Sequence, residues 1–98
     1  MPADRPPRYI GVTEAILRVL RELGGSADVD TVLREVWRRY VSPGNGERVV
    51  MRLYPHPSGR LWSPEAEEAI RLLETAGLLE RKGRRLVLLA AVQPRAGR

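Results

Sequence analysis

Near the end of the chain, four cations lie within five positions: Arg81, Lys82, Arg84 and Arg85. Clustered guanidinium and ammonium groups suit phosphate oxygens, and the planar fork of arginine can contact one phosphate with two hydrogen bonds. Apolar runs flank Gly83 on both sides, which predicts an antiparallel hairpin of residues 78–81 and 85–89 with residues 82–84 at its tip. We therefore expect a basic tip that binds phosphates, or else a solvated turn whose charges protect an edge strand from aggregation.

The other reactive side chains do not form a catalytic or metal-binding pattern. The chain has no cysteine and a single histidine, His56, in the loop-like stretch YPHPSG. A zinc site would have to rest on carboxylates, and none are suitably clustered. The sequence contains no phosphate-binding glycine loop and no nucleophile with a nearby base. We expect a binding protein with no enzymatic activity, no cofactor and no metal.

Length and charge indicate one small domain with an anionic partner. The chain has 98 residues, a net charge of +5 and a pI of about 10.7, so we expect a single domain over residues 1–98 that binds nucleic acid. No apolar run approaches the ~20 residues that cross a bilayer, and residues 1–10 lack the apolar core of a signal peptide. These features predict a soluble, cytoplasmic protein without a membrane partner.

Two amphipathic helices joined by a short turn are predicted in the first half of the chain. Apolar residues recur at helical spacing through residues 12–23 and again through residues 28–40. The two glycines at 24–25 end the first helix, and Asp28 or Asp30 can cap the second. This order predicts a helix-turn-helix core.

A third helix leads directly into the hairpin. Ser63 is its predicted N-cap, Pro64 occupies the first helical position, and Gly77 suits the left-handed residue that ends a helix near residue 76. Six side chains from the three helices are expected to be buried together: Ile16, Leu20, Leu33, Val36, Ile70 and Leu73. Three helices followed by a hairpin predict an α+β fold that is mainly α.

The order of these segments resembles the winged helix-turn-helix families of prokaryotic transcription regulators. The resemblance covers residues 12–90 and rests on ILRVLRELGG, on VDTVLREVWRRY, and above all on AIRLLETAGLLER followed by GRRLVLL. The last pair looks like a third helix that runs through a glycine turn into the hairpin, which those families call the wing. It implies a small transcription regulator that binds duplex DNA through its wing and third helix.

Seven residues are predicted to bind DNA: Arg60, Arg71, Thr75, Arg81, Lys82, Arg84 and Arg85. The third helix argues against simple reading of bases, because residues 63–76 hold four glutamates and one arginine, a net charge of −3. Phosphates repel that charge, whereas the helix dipole accounts for it. Glu67 is expected to pair with Arg71 one turn later. The alternative function is a winged-helix protein-interaction module or an accessory subunit of a nucleic-acid machine.

Residues 41–62 form an insertion that is longer than the resemblance implies. Within it, VVMRLY is β-branched and apolar enough for a strand, and PHPSGRLW can turn back along it, so either a hairpin or an ordered loop is expected. Trp62 is expected to be largely shielded, because an apolar residue just before an N-cap can pack on the helix that follows. Trp37, at the edge of the second apolar stripe, is expected to lie in the core.

The two ends of the chain, residues 1–10 and 91–98, are marked by prolines and expected to be flexible tails. The sequence does not indicate a homodimer. If one forms, we expect it to use Tyr9, Ile10, the insertion or an outer helix face such as that of Leu17.

Overall fold

Three α-helices form where the apolar spacing predicts them. In the computed structural model, which describes residues 8–42 and 46–89, the helices span the following ranges: α1 Val12–Glu22, α2 Val29–Val36 and α3 Pro64–Thr75. The Asp28 side chain caps α2 by accepting a hydrogen bond from the Asp30 N–H, and the Ser63 hydroxyl caps α3. Both caps confirm the predicted starts of these helices.

The second helix ends in a wider turn than predicted. Residues Trp37–Val41 continue α2 as one π-helical turn, in which the Ser42 N–H donates to the Trp37 carbonyl at 2.8 Å. Tyr40 packs against the core, but Trp37, at the edge of the apolar stripe where the wider turn begins, is 36% exposed. The prediction that Trp37 lies in the core is therefore wrong.

The described residues contain seven short strands: β1 Arg8–Tyr9, β2 Ser26–Asp28, β3 Glu47–Arg48, β4 Tyr54–Pro55, β5 Leu61–Trp62, β6 Leu79–Lys82 and β7 Arg85–Leu88. Strands β2, β7 and β6 form an antiparallel sheet with β7 in the centre. Strand β7 packs against α1, and β6 packs against α3. The pairing of β6 with β7 confirms the predicted hairpin.

A two-residue loop of Gly83 and Arg84 joins β6 to β7. Gly83 has a φ of +61°, and no non-glycine residue in the described ranges has a positive φ. A positive φ at the first loop residue alone is the pattern of a type II′ turn, whose twist matches that of the flanking strands. Lys82 is therefore a strand residue that faces Arg85 across the hairpin, and not a residue of the tip.

The six helix residues predicted to be buried together lie in one apolar cluster, with the inward leucines of the sheet. The described chain is thus a small α+β fold of three α-helices and several strands, and none of its helices is long and apolar enough to cross a membrane. Leu17 is also buried, at 9% exposure, and belongs to the same apolar cluster. The prediction that Leu17 offers an outer face to a second copy is wrong.

The insertion forms two short pairings instead of one long strand. Strand β3 pairs in parallel with β1, and β4 pairs with β5, as expected from the return of PHPSGRLW. Residues 49–53 belong to no strand, so the prediction for VVMRLY is wrong over most of its length. Val49 and Met51 are buried whereas Val50 is 73% exposed. Val49 and Met51 therefore pack in the core without belonging to a sheet.

The start of the described chain is anchored to the insertion. Within the predicted N-terminal tail, Arg8 and Tyr9 pair with β3, and the Ile10 N–H donates to the Arg48 carbonyl at 2.8 Å. Arg18 of α1 bonds the Glu47 carboxylate and lowers its pKa. Residues 1–7 and 90–98, which hold the rest of both predicted tails, lie outside the described residues.

Candidate nucleic-acid interface

Arg81 differs from the other cations of the β6–β7 hairpin, which we call the wing, because it lies on the inner face of the sheet. Its cross-strand partner is the buried Leu86, and its guanidinium donates to the Glu67 carboxylate of α3 at 3.1 Å. Its Nε atom is buried and has no hydrogen-bond partner in the described part of the chain. Arg81 therefore ties the wing to α3, and its side chain is only 30% exposed.

Arg84, in the wing loop, is held against the start of α2. Its guanidinium donates to Asp30 Oδ1 at 2.6 Å, and its carbonyl accepts a hydrogen bond from the Val29 N–H at 2.7 Å. The same Asp30 oxygen accepts from the Leu61 N–H of β5 at 2.8 Å. One carboxylate thus joins the wing, the first turn of α2 and the hairpin of β4 and β5, which we call the inserted hairpin.

The junction at Asp30 favours the charged form of the carboxylate. Burial by itself raises the pKa of Asp30, but the hydrogen bonds from the Leu61 N–H and the Arg84 guanidinium outweigh burial and hold this pKa below its usual value. The positive charge of Arg34, one turn further along α2, acts in the same direction. Asp30 is therefore ionised at neutral pH, and the three elements remain joined.

Five cations lie on the elements that meet at this junction, and we call them the basic edge: Arg34, Arg60, Lys82, Arg84 and Arg85. The positive charges of Arg84 and Arg34 lower the pKa of Asp30, as described above. Arg60 immediately precedes Leu61, it is exposed, and it forms no ion pair with any other residue of the described ranges. The predicted binding residue Arg60 is thereby brought near the wing from a different hairpin.

Lys82 and Arg85 complete the basic edge on the outer face of the sheet. Arg85 lies opposite Asp28 of β2 and donates to the Ser26 hydroxyl at 3.0 Å. The Lys82 ammonium is 4.0 Å from Glu80, and its side chain is 64% exposed. The nearby acids Asp28, Asp30 and Glu80 offset only part of the charge of the five cations, so the basic edge keeps a net charge of +2.

The outward face of α3 has a different character. Arg71 and Thr75 are exposed there, but Arg71 pairs with Glu68 at 3.2 Å. Because Glu67 bonds Arg81 instead, the predicted pair of Glu67 with Arg71 is wrong. On the same side, Leu72 is 54% exposed. This face therefore offers a single arginine, already paired, among acidic and apolar side chains.

Tyr54 and Trp62, which we call the aromatic pair, lie side by side on the surface. They occupy opposite positions on β4 and β5, with ring centroids 5.6 Å apart and planes inclined by 30°. Trp62 is 51% exposed, so the prediction that it is largely shielded is wrong. Packing of such a residue on the next helix requires an apolar partner four positions into that helix, and Glu67 stands there. Leu61 packs against the core instead.

Sequence reasoning missed Arg34 of the basic edge and two further residues of this region. Asp30 was identified only as a candidate cap, because its hydrogen-bond donors Leu61 and Arg84 lie 31 and 54 positions away along the chain. No local pattern in the sequence marks Tyr54 as the partner of Trp62. The polar residue Glu67 was a visible signal against shielding of that tryptophan.

Comparisons of the chain with protein-family models, with curated proteins and with solved structures find no match. Within residues 8–42 and 46–89, no group of histidine, aspartate and glutamate side chains is placed to hold a metal ion. The chemistry of the described side chains suits anion binding along the basic edge and stacking or apolar contact at the aromatic pair.

Proposed function

We propose that this chain is a winged helix-turn-helix protein that binds duplex DNA and acts in the cytoplasm as a transcriptional regulator. The succession α1, β2, α2, α3, β6 and β7 supports this assignment, as does a sheet in which β7 lies between β2 and β6. Because one fold can host many functions, the proposal rests on the site and not on this arrangement.

The observation that carries the proposal is the convergence of the wing and the inserted hairpin on Asp30. Two hairpins that are distant in sequence thereby present cations along one edge, next to the start of α2. A row of cations with a net positive charge attracts the phosphates of duplex DNA and releases their condensed counterions. Such contacts hold the protein on DNA without reading sequence.

The distribution of charge predicts a contact that is led by the wing. Lys82, Arg84 and Arg85 would meet phosphates, whereas the glutamates on α3 repel them. Helix α3 would then approach the duplex shallowly or at an angle, with Arg71 and Thr75 as its base-facing residues. Arg81 would act mainly by holding the wing against Glu67 of α3.

Fluorescence anisotropy with a labelled duplex of mixed sequence tests this proposal. The double variant Lys82→Gln/Arg85→Gln removes two exposed cations of the basic edge and keeps the bond between Arg84 and Asp30. A matched control, Arg8→Gln/Arg38→Gln, removes the same charge from β1 and the π-helical turn. We expect the first variant to bind at least about tenfold more weakly at low salt and the control to lose much less. Equal affinities of the two variants would contradict the proposal.

A protein-interaction module is the second candidate, and α3 supplies the observation that favours it. Leu72 is 54% exposed, one turn after the exposed Glu68 on the same side of the helix. Acidic and apolar side chains in this combination suit a basic protein surface better than a phosphate backbone. If the parent protein does not bind duplex DNA at about 50 mM salt, this function takes first place.

A further inference from the structure

We propose that the aromatic pair, Tyr54 and Trp62, is a stacking site for the unpaired bases of a single-stranded nucleic acid. This goes beyond duplex binding, because bases inside a duplex are stacked on one another and offer no free face. The ligand is defined by its chemistry as a nucleobase on a flexible, anionic backbone, which single-stranded DNA and single-stranded RNA share.

The exposure of the two rings is the first observation that supports the site. Tyr54 is 46% exposed and Trp62 is 51% exposed, although both are large aromatic side chains next to a buried core. Their rings lie against each other at a centroid distance of 5.6 Å, so each ring covers only part of its neighbour. A base can therefore extend the stack on an open ring face, and such stacking tolerates any sequence because every base has a π-face.

The pair is also held in place before any ligand arrives. The backbone register between β4 and β5 sets Tyr54 opposite Trp62, and the Leu61 N–H bonds Asp30 of α2. Two positions before Tyr54, Arg52 donates to the Glu65 carboxylate of α3 through its backbone N–H at 2.9 Å and through Nε at 2.8 Å, which anchors the chain next to β4. Side chains that are ordered in advance lose little entropy on binding, which favours affinity.

The charge around the pair matches an anionic strand. The inserted hairpin, residues 54–62, contains no carboxylate and one arginine, Arg60, which is exposed and forms no ion pair within the described chain. Arg52, which forms an ion pair with Glu65, adds a guanidinium that is 63% exposed two positions before Tyr54. Cations next to stacking rings are the combination by which proteins bind single strands: the rings hold bases and the cations hold phosphates.

Binding of short oligonucleotides tests the site. Labelled oligo-dT and oligo-rU of about 12 nucleotides serve as ligands, because both are unstructured and differ only in sugar and methyl group. In the Trp37→Phe variant, Trp62 is the single tryptophan, and its fluorescence should be quenched as the oligonucleotide binds. Tighter binding of oligo-dT would identify DNA as the ligand, and tighter binding of oligo-rU would identify RNA.

Substitutions in the pair supply the decisive comparison. Trp62→Leu and Tyr54→Leu keep apolar bulk and remove the π-face, so each should weaken oligonucleotide binding at least about fivefold. Trp62→Phe keeps an aromatic face and should retain most of the affinity, and Trp37→Phe, outside the hairpin, should leave it unchanged. Thermal melting of each variant checks that the fold is intact.

Some outcomes would overturn the stacking site. If both leucine variants bind as tightly as the parent, or if the parent does not bind either oligonucleotide at low salt, the pair does not stack bases. The second result would leave it as a contact for a protein partner. Duplex binding is measured in parallel: the Lys82→Gln/Arg85→Gln variant tests the proposed function, and Trp62→Leu should change duplex affinity by less than about twofold. The two proposals can therefore fail separately.

Discussion

The molecule contains two hairpins that place arginines at one junction but differ in how they are attached. The wing has strands of four residues and gains a third strand from β2, with Leu79, Leu86 and Leu88 directed into the core. The inserted hairpin has strands of two residues and pairs with no other strand of the described chain. The wing is thus part of the structural core, whereas the inserted hairpin leaves its two largest side chains, Tyr54 and Trp62, about half exposed.

The largest effect should appear in the free energy of unfolding, when a buried residue of the wing is compared with a half-exposed residue of the inserted hairpin. Leu86→Ala, at a fully buried position of the wing, should lower the free energy of unfolding by about 2–5 kcal/mol. Trp62→Leu, at a half-exposed position of the inserted hairpin, should lower it by less than about 1 kcal/mol. Urea denaturation followed by circular dichroism measures both values. Equal losses would mean that the inserted hairpin is as much a part of the core as the wing.

Removal of the Asp30 carboxylate should have the next largest effect on the free energy of unfolding. Asp30→Ala leaves the Leu61 N–H and the Arg84 guanidinium without their acceptor, which should cost about 1–3 kcal/mol of unfolding free energy. Asp30→Asn should cost less, because its side-chain oxygen can still accept from Leu61. Glu74→Ala is the matched control, since Glu74 forms no ion pair within the described ranges. A loss no greater than that of the control would show that the two hairpins do not depend on Asp30.

The junction should also weaken in acid. The pKa of Asp30 is lower in the folded protein than its usual value of 3.8, so the carboxylate stabilises the fold above about pH 4. This stabilisation is lost as the pH falls through the pKa of the folded state. We therefore expect the difference in unfolding free energy between the parent and Asp30→Asn to shrink as the pH falls below about 4. Denaturation curves between about pH 2 and pH 7 measure it, and a constant difference would contradict the assignment.

The smallest effect concerns the link between the wing and α3. Glu67→Gln/Glu68→Gln removes negative charge from α3 and weakens the hold on Arg81. Duplex binding should become about twofold to fivefold tighter, as expected for partly exposed charges. Anisotropy with several duplex sequences measures the change. If the variant instead loses binding to one particular sequence, the glutamates accept hydrogen bonds from bases, and α3 reads the major groove.

The sequence predicted those parts of the fold in which a local pattern persists over many residues. Helices α1 and α3 follow from apolar spacing maintained over three turns and from strong end signals, including Ser63 and Gly77. The wing follows from apolar runs on both sides of Gly83. The site was harder to predict, because alternation along β6 places Arg81 on the inner face of the sheet, although it is adjacent to the outward Lys82.

The remaining errors fall where strands are too short for periodicity or where a contact spans the chain. Strands of two residues are too short to show alternation of apolar and polar side chains. β propensity therefore could not show that most of VVMRLY lies outside any strand, or that Trp62 points outward. The role of Asp30 depends on donors from two distant hairpins. Within the described residues, such contacts arise from tertiary packing, which local propensities do not encode.

The salt dependence of duplex binding tests the central claim most directly, because the claim is that the basic edge holds DNA through phosphates. For the parent we predict that the logarithm of the affinity falls linearly with the logarithm of salt, with a slope near −0.9 for each of about three to four phosphates. Lys82→Gln/Arg85→Gln should reduce the size of that slope by roughly one to two, whereas Arg8→Gln/Arg38→Gln should leave it unchanged. A parent slope near zero, or the same slope in both variants, would contradict a contact along the basic edge.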